Sequence, residues 1–246
     1  MPSNKRLRMF AGPNGSGKST VFNWIKKNYD FDLGIYLNAD EIEKELKRKN
    51  FINLSDYNLE SEIGEKFNEF ISSHSLFHKA NNDGYKIDLT FKDGLILNPT
   101  YHTHSYEASI LTDFLRQELI KSGQKLSFET VMSHPSKIET LKFAQENNFK
   151  NYLYFISTES FEINKSRVKE RVLIGGHPVP DRKIEERYYR SLKLLQDAIK
   201  STYRTFIFDN SENQSRLILD IYKSNKVTYR SDRVPKWVDK YCLRIE

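Results

Sequence analysis

The sequence predicts an α/β fold in which helices flank a parallel β-sheet. Short apolar runs, typical of buried strands, alternate with longer segments whose apolar residues recur at helical spacing. Such alternation is typical of parallel sheets whose strands are connected by helices. A glycine-rich loop separates the first strand from the first helix, and one strictly alternating segment interrupts the pattern. We therefore expect a parallel sheet with an inserted β-hairpin and helix region.

The N-terminal segment contains two strand–helix pairs. Residues 7–11 are apolar except for Arg8, and we predict a short buried strand there. After the glycine-rich loop, a helix is predicted from Thr20 to about Tyr29. A second strand is predicted at residues 35–38. The helix predicted over residues 40–48 has acids at its beginning and bases at its end, as the helix dipole favours.

Residues 51–100 follow a different pattern. Apolar residues at positions 63, 67, 70 and 71 recur at helical spacing, which predicts a helix over residues 56–77. Residues 85–92 then alternate between apolar and polar, Asp93-Gly94 follows, and residues 95–97 are apolar. That is the pattern of a two-residue β-hairpin. Because an antiparallel hairpin is out of place in a strand–helix–strand series, we interpret residues 51–100 as an insertion near the functional site.

The second half of the chain resumes the alternation. A helix marked by Ala108 and Leu119 ends at Ser122-Gly123, and a strand follows at residues 125–129. We predict further helices around residues 138–144 and over residues 163–173 and 180–200, strands at residues 151–156 and 205–208, and a terminal hairpin of residues 217–221 and 227–230. No linker or internal repeat interrupts the 246 residues, so we predict a single domain over residues 1–246.

The composition is that of a soluble globular protein. Hydrophobic residues make up 38% and charged residues 29% of the chain, and the length suffices to bury a core without disulfides or metals. The single cysteine, Cys242, excludes an internal disulfide. The first residues leave no room for an apolar signal sequence, and no apolar run approaches the length of a membrane-spanning helix. We therefore expect a cytoplasmic protein that does not bind a membrane.

The glycine-rich loop fits the pattern G-x-x-x-x-G-K-[ST] of phosphate-binding loops, which predicts the sheet of a P-loop NTPase. Glycines let backbone N–H groups turn toward an anion, and the positive end of the helix dipole favours it. We predict that Lys18 reaches the β- and γ-phosphates of ATP and that the Ser19 hydroxyl ligates Mg²⁺. The alternative is a glycine-rich turn that binds nothing. The predicted ATP-binding residues are Gly12, Pro13, Asn14, Gly15, Ser16, Gly17, Lys18, Ser19 and Thr20.

Acidic residues follow two predicted strands, at the sheet edge where ligands bind in open α/β folds. Asp40 follows the second strand, and its carboxylate could accept the proton of an attacking hydroxyl or could cap the next helix. Glu129 and Thr130 end a later strand, where they could contact a substrate or a Mg²⁺-bound water, or act as a cap. Apolar runs also end at Asp209 and Asp220, but both come late in the chain, and we predict that they are plain strands.

Most of the net charge of +6 comes from residues 163–200, which contain ten basic and five acidic residues. We predict that this segment is an arginine-rich lid, because phosphoryl transfer requires positive charge near the transferred group. The alternatives are a nucleic-acid-binding patch and an ordinary solvent-exposed surface. The arginines that define the lid are Arg167 and Arg171 on one helix and Arg187 and Arg190 on the next, separated by Gly175-Gly176.

With these motifs the sequence resembles the zeta toxin family of P-loop kinases. The resemblance rests on residues 12–20, 38–41, 128–130, 167–180, 187–192 and 209–210. It covers residues 5–50 and 105–211, and the chain departs from the family pattern between residues 51 and 100.

The resemblance implies a specific chemistry. Characterised zeta toxins phosphorylate the 3′-hydroxyl of the amino sugar in UDP-N-acetylglucosamine, using ATP and Mg²⁺. By resemblance, Lys18 and Ser19 bind phosphate and metal, Asp40 is the general base and Glu129 lies near substrate or metal. Arg171 and Arg187 are the charge-stabilising pair of the lid. The resemblance also implies a sugar-nucleotide substrate and allows an antitoxin protein as a partner.

Two other functions are compatible with the same residues. The basic segment would suit a polynucleotide kinase or another RNA-acting P-loop enzyme, which should bind oligonucleotides in a salt-sensitive manner. A non-enzymatic nucleotide-binding interaction module would use the insertion as its partner surface and would transfer no phosphate. We favour the small-molecule kinase, for which nucleic acid is not a partner.

Overall fold

The structure, a computed structural model, describes residues 5–100 and 102–243. Its strands are β1 (Arg6–Ala11), β2 (Ile35–Leu37), β3 (Phe51–Asn53), β4 (Thr90–Lys92), β5 (Leu95–Leu97), β6 (Leu126–Thr130), β7 (Lys150–Ser157), β8 (Arg204–Asp209), β9 (Arg216–Tyr222) and β10 (Lys226–Tyr229). Its helices are α1 (Lys18–Asn28), α2 (Ala39–Lys49), α3 (Phe67–Ser73), α4 (Ser75–Asn82), α5 (Ser105–Lys121), α6 (Ser136–Glu146), α7 (Phe161–Leu173), α8 (Asp181–Lys193), α9 (Leu195–Lys200) and α10 (Lys236–Val238).

The chain divides into two compact units, which we describe separately. The first unit combines the N-terminal residues through Leu33 with the chain from Ser127 onward, and the second is Gly34–Leu126. The second unit contains the whole of the predicted insertion at residues 51–100. The prediction of a single domain over residues 1–246 stays a prediction.

The first unit is built on a mostly parallel sheet with helices around it, as the sequence predicted. Its strands lie in the order β10-β9-β8-β7-β1-β6. β1 pairs in parallel with β7, and β7 pairs in parallel with β8. The predicted terminal hairpin is present as β9 and β10, and β9 continues the sheet by pairing antiparallel with β8. A parallel order brings the carboxyl ends of β1 and β7 to one edge, where the glycine-rich loop begins.

The core of the first unit lies on the central strands. Phe10 of β1 stacks on Tyr154 of β7 with ring centroids 4.6 Å apart. Phe22 of α1 packs edge-on against Phe10, with ring centroids 5.1 Å apart. These contacts hold α1 against the strand that precedes the loop. Other side chains fully buried in this unit include Leu7, Met9, Phe128, Phe155 and Ile207.

The second unit contains a small antiparallel sheet in the order β3-β5-β4. Phe91 of β4 lies opposite Ile96 of β5, and the hairpin turns at Asp93 and Gly94, whose φ angles are 50° and 78°. Positive φ at both positions is the geometry that an Asp-Gly dipeptide favours, so the predicted hairpin is confirmed. β4 is shorter than the alternation at residues 85–92 suggested. Residues 85–89 do not belong to a strand. The sequence did not predict β3 as the third strand.

The continuous helix predicted over residues 56–77 is wrong. The structure has 3₁₀ turns at Leu54–Tyr57 and Ser61–Lys66, followed by the short helices α3 and α4. Asn58 adopts a left-handed conformation, with φ of 52°, which ends the first turn. His74 is extended between α3 and α4, and its Nδ1 accepts a hydrogen bond from Leu76 N at 3.1 Å. The apolar residues do recur at helical spacing, but the left-handed Asn58 and the extended His74 interrupt the helix.

The helix predicted over residues 180–200 is also divided, into α8 and α9, by Leu194. Leu192 at the end of α8 and Leu195 at the start of α9 are both buried, so both helices pack against the core. Among residues 5–100 and 102–243, none of the helices has the length and apolar character needed to span a membrane. The cytoplasmic location stays a prediction.

Candidate functional site

The phosphate loop, defined here as residues 12–17, connects β1 to α1 in the first unit. Gly12 has a φ of 147°, and a Cβ at this position would overlap the carbonyl oxygen of Ile156. Only glycine therefore fits where the loop leaves the sheet. The loop closes on itself through a hydrogen bond from Ser16 N to Pro13 O at 3.2 Å. This is the compact loop that the sequence pattern predicts.

Lys18, the first residue of α1, curls back over the phosphate loop. Its Nζ donates to the carbonyl oxygens of Gly12 at 3.0 Å and Pro13 at 3.1 Å. The first turn of α1 contains no acidic residue, and its last turn carries Lys26 and Lys27. The sequence of the helix itself therefore adds no negative charge at its N-terminal end, where the helix dipole is positive. The arrangement provides a cation and a helix N-terminus for an anionic ligand.

Ser19 is hydrogen-bonded to Glu129. The Ser19 hydroxyl donates to Glu129 Oε2 at 2.8 Å, which joins the first turn of α1 to the end of β6. Thr130, the next residue of β6, accepts a hydrogen bond from Gly12 N through its backbone carbonyl at 3.3 Å. Its hydroxyl accepts from Met132 N at 3.3 Å. The end of β6 thus contacts the first residue of the phosphate loop and the first turn of α1.

The pair of Ser19 and Glu129 suits Mg²⁺ better than a transition metal. Both ligands are oxygens, and Mg²⁺ in nucleotide-binding proteins usually takes one or two protein oxygens together with phosphate oxygens and water. In the part of the chain that the structure describes, there is no group of three or more His, Cys, Asp or Glu side chains that could hold a metal alone. The donor set therefore fits Mg²⁺ bound together with a nucleotide.

The predicted lid brings one arginine to the phosphate loop. Arg187 of α8 donates from Nη1 to Asn14 Oδ1 at 3.3 Å. Burial of this guanidinium, and secondarily the charge of Arg190, lower the pKa of Arg187 below its usual value, although an arginine remains protonated at neutral pH. Arg171 of α7 donates to the carbonyl oxygen of His177 at 3.0 Å, across the Gly-Gly turn. Arg190 lies on the exposed side of α8.

Arg167 has a different environment from that of Arg187. Its guanidinium donates to the carbonyl oxygens of Asn210 at 2.6 Å and Glu212 at 3.1 Å. It therefore ties α7 to the loop after β8. Of the two arginines predicted on α7, Arg171 is hydrogen-bonded to the lid turn and Arg167 to the loop after β8.

Asp40 lies in the second unit, at the second position of α2. Asn38 caps this helix, because its side-chain oxygen accepts a hydrogen bond from Asp40 N at 2.9 Å. The alternative that Asp40 is the helix cap is therefore wrong. The Asp40 side chain is exposed, and within the described ranges its carboxylate has no hydrogen-bond or ion-pair partner. Its catalytic role stays a prediction.

No protein-family model matches the sequence. A curated Haemophilus influenzae protein, described only as uncharacterized, is 36% identical over 69 residues, which are 28% of this chain and 49% of that protein. Solved structures match over nearly the whole chain. The native complex of AvrRxo1-ORF1 and -ORF2 gives a TM-score of 0.58 at 14% identity, with 96% of this chain and 63% of that chain covered. The same complex with ATP gives a TM-score of 0.55 at 15% identity, with 92% of this chain and 60% of that chain covered.

A structure of the PezAT chromosomal toxin–antitoxin system of Streptococcus pneumoniae gives a TM-score of 0.53 at 12% identity, with 98% of this chain and 80% of that chain covered. The chain has a zeta-toxin-like P-loop kinase fold. It spans about half the length of the curated relative and 60 to 63% of the AvrRxo1-ORF1:-ORF2 chains. The similarity at these identities describes the fold, so the activity has to be argued from the residues.

One residue of this zeta-toxin-like fold was not predicted to belong to the site. Asn210, which follows β8, donates from Nδ2 to the carbonyl oxygen of Ser16 in the phosphate loop at 2.8 Å. The sequence signals were the position of Asp209-Asn210 at a strand end and the resemblance of these two residues to the family pattern. Asp209 itself is buried and accepts hydrogen bonds from Trp237 Nε1 at 3.0 Å and Ser211 Oγ at 2.7 Å. This agrees with the prediction that the strand ending at Asp209 is structural.

Proposed function

We propose that the chain is an ATP-dependent small-molecule kinase of zeta-toxin type, which transfers the γ-phosphate of ATP to a hydroxyl group. The observation that carries the proposal is the 2.8 Å hydrogen bond from Ser19 to Glu129, beside a phosphate loop that has Lys18 folded over it. Together these residues provide a cation, a helix N-terminus and two oxygen ligands within one unit. The fold similarity to a complex solved with ATP supports the choice of nucleotide.

The phosphate loop and Lys18 bind the triphosphate in this proposal. Lys18 exchanges its bonds to the carbonyls of Gly12 and Pro13 for bonds to the β- and γ-phosphates. Ser19 and Glu129 would hold the Mg²⁺ that accompanies ATP, which would supply positive charge beside the transferred group. Ser19 would give up its hydrogen bond to Glu129 when both oxygens act as ligands.

The remaining roles concern the acceptor and the transferred group. Asp40 accepts the proton of the attacking hydroxyl, a role for which an exposed, unpaired carboxylate is suited. Glu129 and Thr130 also contribute to substrate positioning at the end of β6. Arg187, which already contacts Asn14, neutralises developing charge on the phosphoryl oxygens, and Arg171 supports it from the lid turn.

UDP-N-acetylglucosamine is the first acceptor to test, because the site motifs resemble those of enzymes that phosphorylate it. Residues 51–100 depart from that pattern, so another small-molecule hydroxyl is the second candidate. An antitoxin is the proposed protein partner. Support comes from the PezAT toxin–antitoxin structure, which shares this fold.

The basic segment gives weaker support to the nucleic-acid alternative than its charge suggested. Lys165 lies 3.0 Å from Asp181, and Arg182 lies 2.9 Å from Glu186. Arg167 and Arg171 donate to backbone carbonyls. Much of the positive charge therefore already has partners within the protein, whereas binding of phosphate backbones requires accessible cations.

The decisive experiment is incubation with γ-labelled ATP and Mg²⁺ in the presence of UDP-N-acetylglucosamine, other sugar nucleotides, a metabolite extract or an oligonucleotide. Asp40→Asn removes the proposed base, and Glu41→Gln is the matched control on the same turn of α2. We expect label on a small molecule with the wild type and the control, and loss of transfer with Asp40→Asn while ATP binding persists. Near wild-type transfer by Asp40→Asn would exclude Asp40 as the base.

The identity of the labelled product separates the candidate functions. Label on UDP-N-acetylglucosamine would mean that residues 51–100 leave the family specificity intact. Label on another metabolite would keep the kinase and assign a new specificity to these residues. Label on an oligonucleotide, or the absence of transfer to any acceptor, would overturn the proposal in favour of the nucleic-acid enzyme or the non-enzymatic module.

A further inference from the structure

The side chain of Asn210 connects the end of β8 to the phosphate loop. Its Nδ2 donates to the carbonyl oxygen of Ser16 at 2.8 Å, across 194 positions of sequence. Ser16 is completely buried, and Asn210 is only 8% exposed. A hydrogen bond between buried groups is costly to remove, because water cannot replace the missing partner.

Asn210 is held in one orientation by its other polar groups. Its Oδ1 accepts from Ser215 Oγ at 2.7 Å, its backbone N–H donates to Ser157 O at 2.8 Å, and its carbonyl accepts from Arg167 Nη1 at 2.6 Å. Rotation of the amide by half a turn would place Oδ1 against the carbonyl oxygen of Ser16, so that two acceptors would face each other. The surrounding bonds therefore fix the amide with its donor toward the loop.

The bond to the Ser16 carbonyl also fixes the next backbone N–H. In a trans peptide unit the C=O of one residue and the N–H of the following residue point in opposite directions. A Ser16 carbonyl directed toward Asn210 therefore directs the Gly17 N–H away from it. Within the described ranges, that N–H donates no hydrogen bond to another residue.

Gly17 has a second relationship with Asn210. It has a left-handed conformation with φ of 92° and immediately precedes Lys18. A Cβ at Gly17 would overlap Nδ2 of Asn210, so the amide is in close contact with the backbone that it orients. The residue before Lys18 is therefore constrained both by its own φ angle and by Asn210.

We infer that Asn210 is a positioning residue for phosphate binding, which holds the Ser16 carbonyl and thereby aims the Gly17 N–H at the anion. The inference rests on the proposed function, because it concerns the same ATP site. Asn210 touches no reacting atom and acts through the loop. Its side chain has to be a donor toward Ser16 and an acceptor toward Ser215, which an amide satisfies and a carboxylate or an aliphatic side chain does not.

Calorimetric titration with ATP and with inorganic tripolyphosphate tests this role. Asn210→Ala should weaken the binding of both by about tenfold, the effect expected when one hydrogen bond that orients a buried backbone group is lost. The matched control is Asn151→Ala. Asn151 is also buried, and its amide donates to Leu141 O at 2.7 Å and Ser201 O at 3.1 Å, away from the loop. This control should lower the melting temperature similarly but change both affinities by less than about twofold.

Ser215→Ala is the second variant, and it tests the role of Asn210 if Asn210→Ala does not fold. It leaves the bond from Asn210 to Ser16 but removes the group that fixes the amide, so a smaller loss of affinity is expected. The amide NMR signal of Gly17 should also shift when tripolyphosphate is added to the wild type, and shift less in either variant at the same concentration.

Three outcomes would overturn the inference. Equal affinity of the wild type, Asn210→Ala and Ser215→Ala would remove it while leaving the proposed function intact. An equal loss in Asn151→Ala would assign the effect to general stability. If the wild type binds neither ATP nor tripolyphosphate, the proposed function fails, and the role of Asn210 fails with it.

Discussion

The Ser19 hydroxyl donates a hydrogen bond of 2.8 Å to Glu129, which joins the first turn of α1 to the end of β6. These residues are 110 positions apart, and the sheet order brings them together because β6 lies next to β1. The strand order thus places the two oxygens side by side, as the proposed Mg²⁺–nucleotide site requires.

The first prediction concerns Glu129→Gln. Glutamine can still accept a hydrogen bond from Ser19, but it lacks the negative charge that attracts Mg²⁺. We expect the catalytic efficiency to fall by about 100-fold, and the Mg²⁺ concentration needed for half-maximal rate to rise, as is typical when support of a bound metal is lost. Initial rates measured across a Mg²⁺ titration check this.

Glu139→Gln is the control for the loss of a negative charge. Glu139 lies on α6 in an exposed ion pair with Lys142 at 3.1 Å. The wild-type Mg²⁺ dependence is expected for this variant. A Glu129→Gln variant with the same Mg²⁺ profile as the control would exclude Glu129 from the metal site.

The second prediction concerns Arg187→Gln. Arg187 is half-buried and contacts Asn14 of the phosphate loop, and in the proposed function its charge stabilises the transferred phosphoryl group. We expect kcat to fall by about 1,000-fold, in the range of other arginines that stabilise phosphoryl transfer, while the ATP dissociation constant changes much less. Single-turnover rates and ATP titrations separate the two effects.

Arg182→Gln on the same helix tests whether any loss of positive charge has this effect. Arg182 is exposed and paired with Glu186 at 2.9 Å. Its removal should leave kcat within about twofold of the wild type, as is usual for exposed ion pairs. Similar losses in both variants would indicate a general electrostatic effect rather than a specific role of Arg187.

Local chemistry explains which parts of the fold could be predicted. The phosphate loop and the hairpin at Asp93-Gly94 depend on residue types that favour particular φ angles, and both were predicted from the sequence. The division of residues 56–77 depends on Asn58 and His74, whose effects on backbone geometry do not alter the apolar spacing. A helical repeat alone therefore could not show that the segment is interrupted.

The sequence specified the candidate site most directly where a motif names its residues, and it indicated Glu129 through its position at a strand end and the family resemblance. Lys18, Ser19 and the glycines follow from a pattern with fixed spacing. Asn210 contacts a residue 194 positions away, and the sequence signals at residues 209–210, a strand end and a family resemblance, did not identify that contact. Because the contact depends on the order of strands in the sheet, the sequence pattern could not show that Asn210 lies beside Ser16.

The third prediction concerns the pH dependence of stability at Asp220 on β9. Arg204 donates to both carboxylate oxygens at 2.8 and 2.7 Å, and Arg230 donates to Oδ2 at 2.9 Å. These hydrogen bonds, chiefly those from Arg204, hold the pKa of Asp220 below its usual value, although burial opposes them. Because the pKa is lower in the folded state, the stabilisation is present above the unfolded value of about pH 4 and is lost as pH falls through the native pKa.

Asp220→Asn should therefore unfold more easily than the wild type at neutral pH. The difference in the free energy of unfolding should shrink as the pH is lowered below about 4. Urea denaturation at a series of pH values measures this difference. A difference that does not change with pH would mean that the carboxylate charge contributes nothing and that only the shape of the hydrogen-bonded group matters.

The fourth prediction tests the packing of the second unit through Gly64→Ala. A Cβ at Gly64 would overlap the ring of Phe91 on β4, and Gly64 does not have a positive φ, so the cost is steric. We expect the free energy of unfolding to fall by about 1–3 kcal/mol, as in other overpacked cores. Phe91→Leu removes the ring, so the double variant should be more stable than the sum of the two single effects predicts. Denaturant titration of all four proteins gives the coupling, and strict additivity would show that the Gly64–Phe91 contact does not determine the position of the 3₁₀ turn.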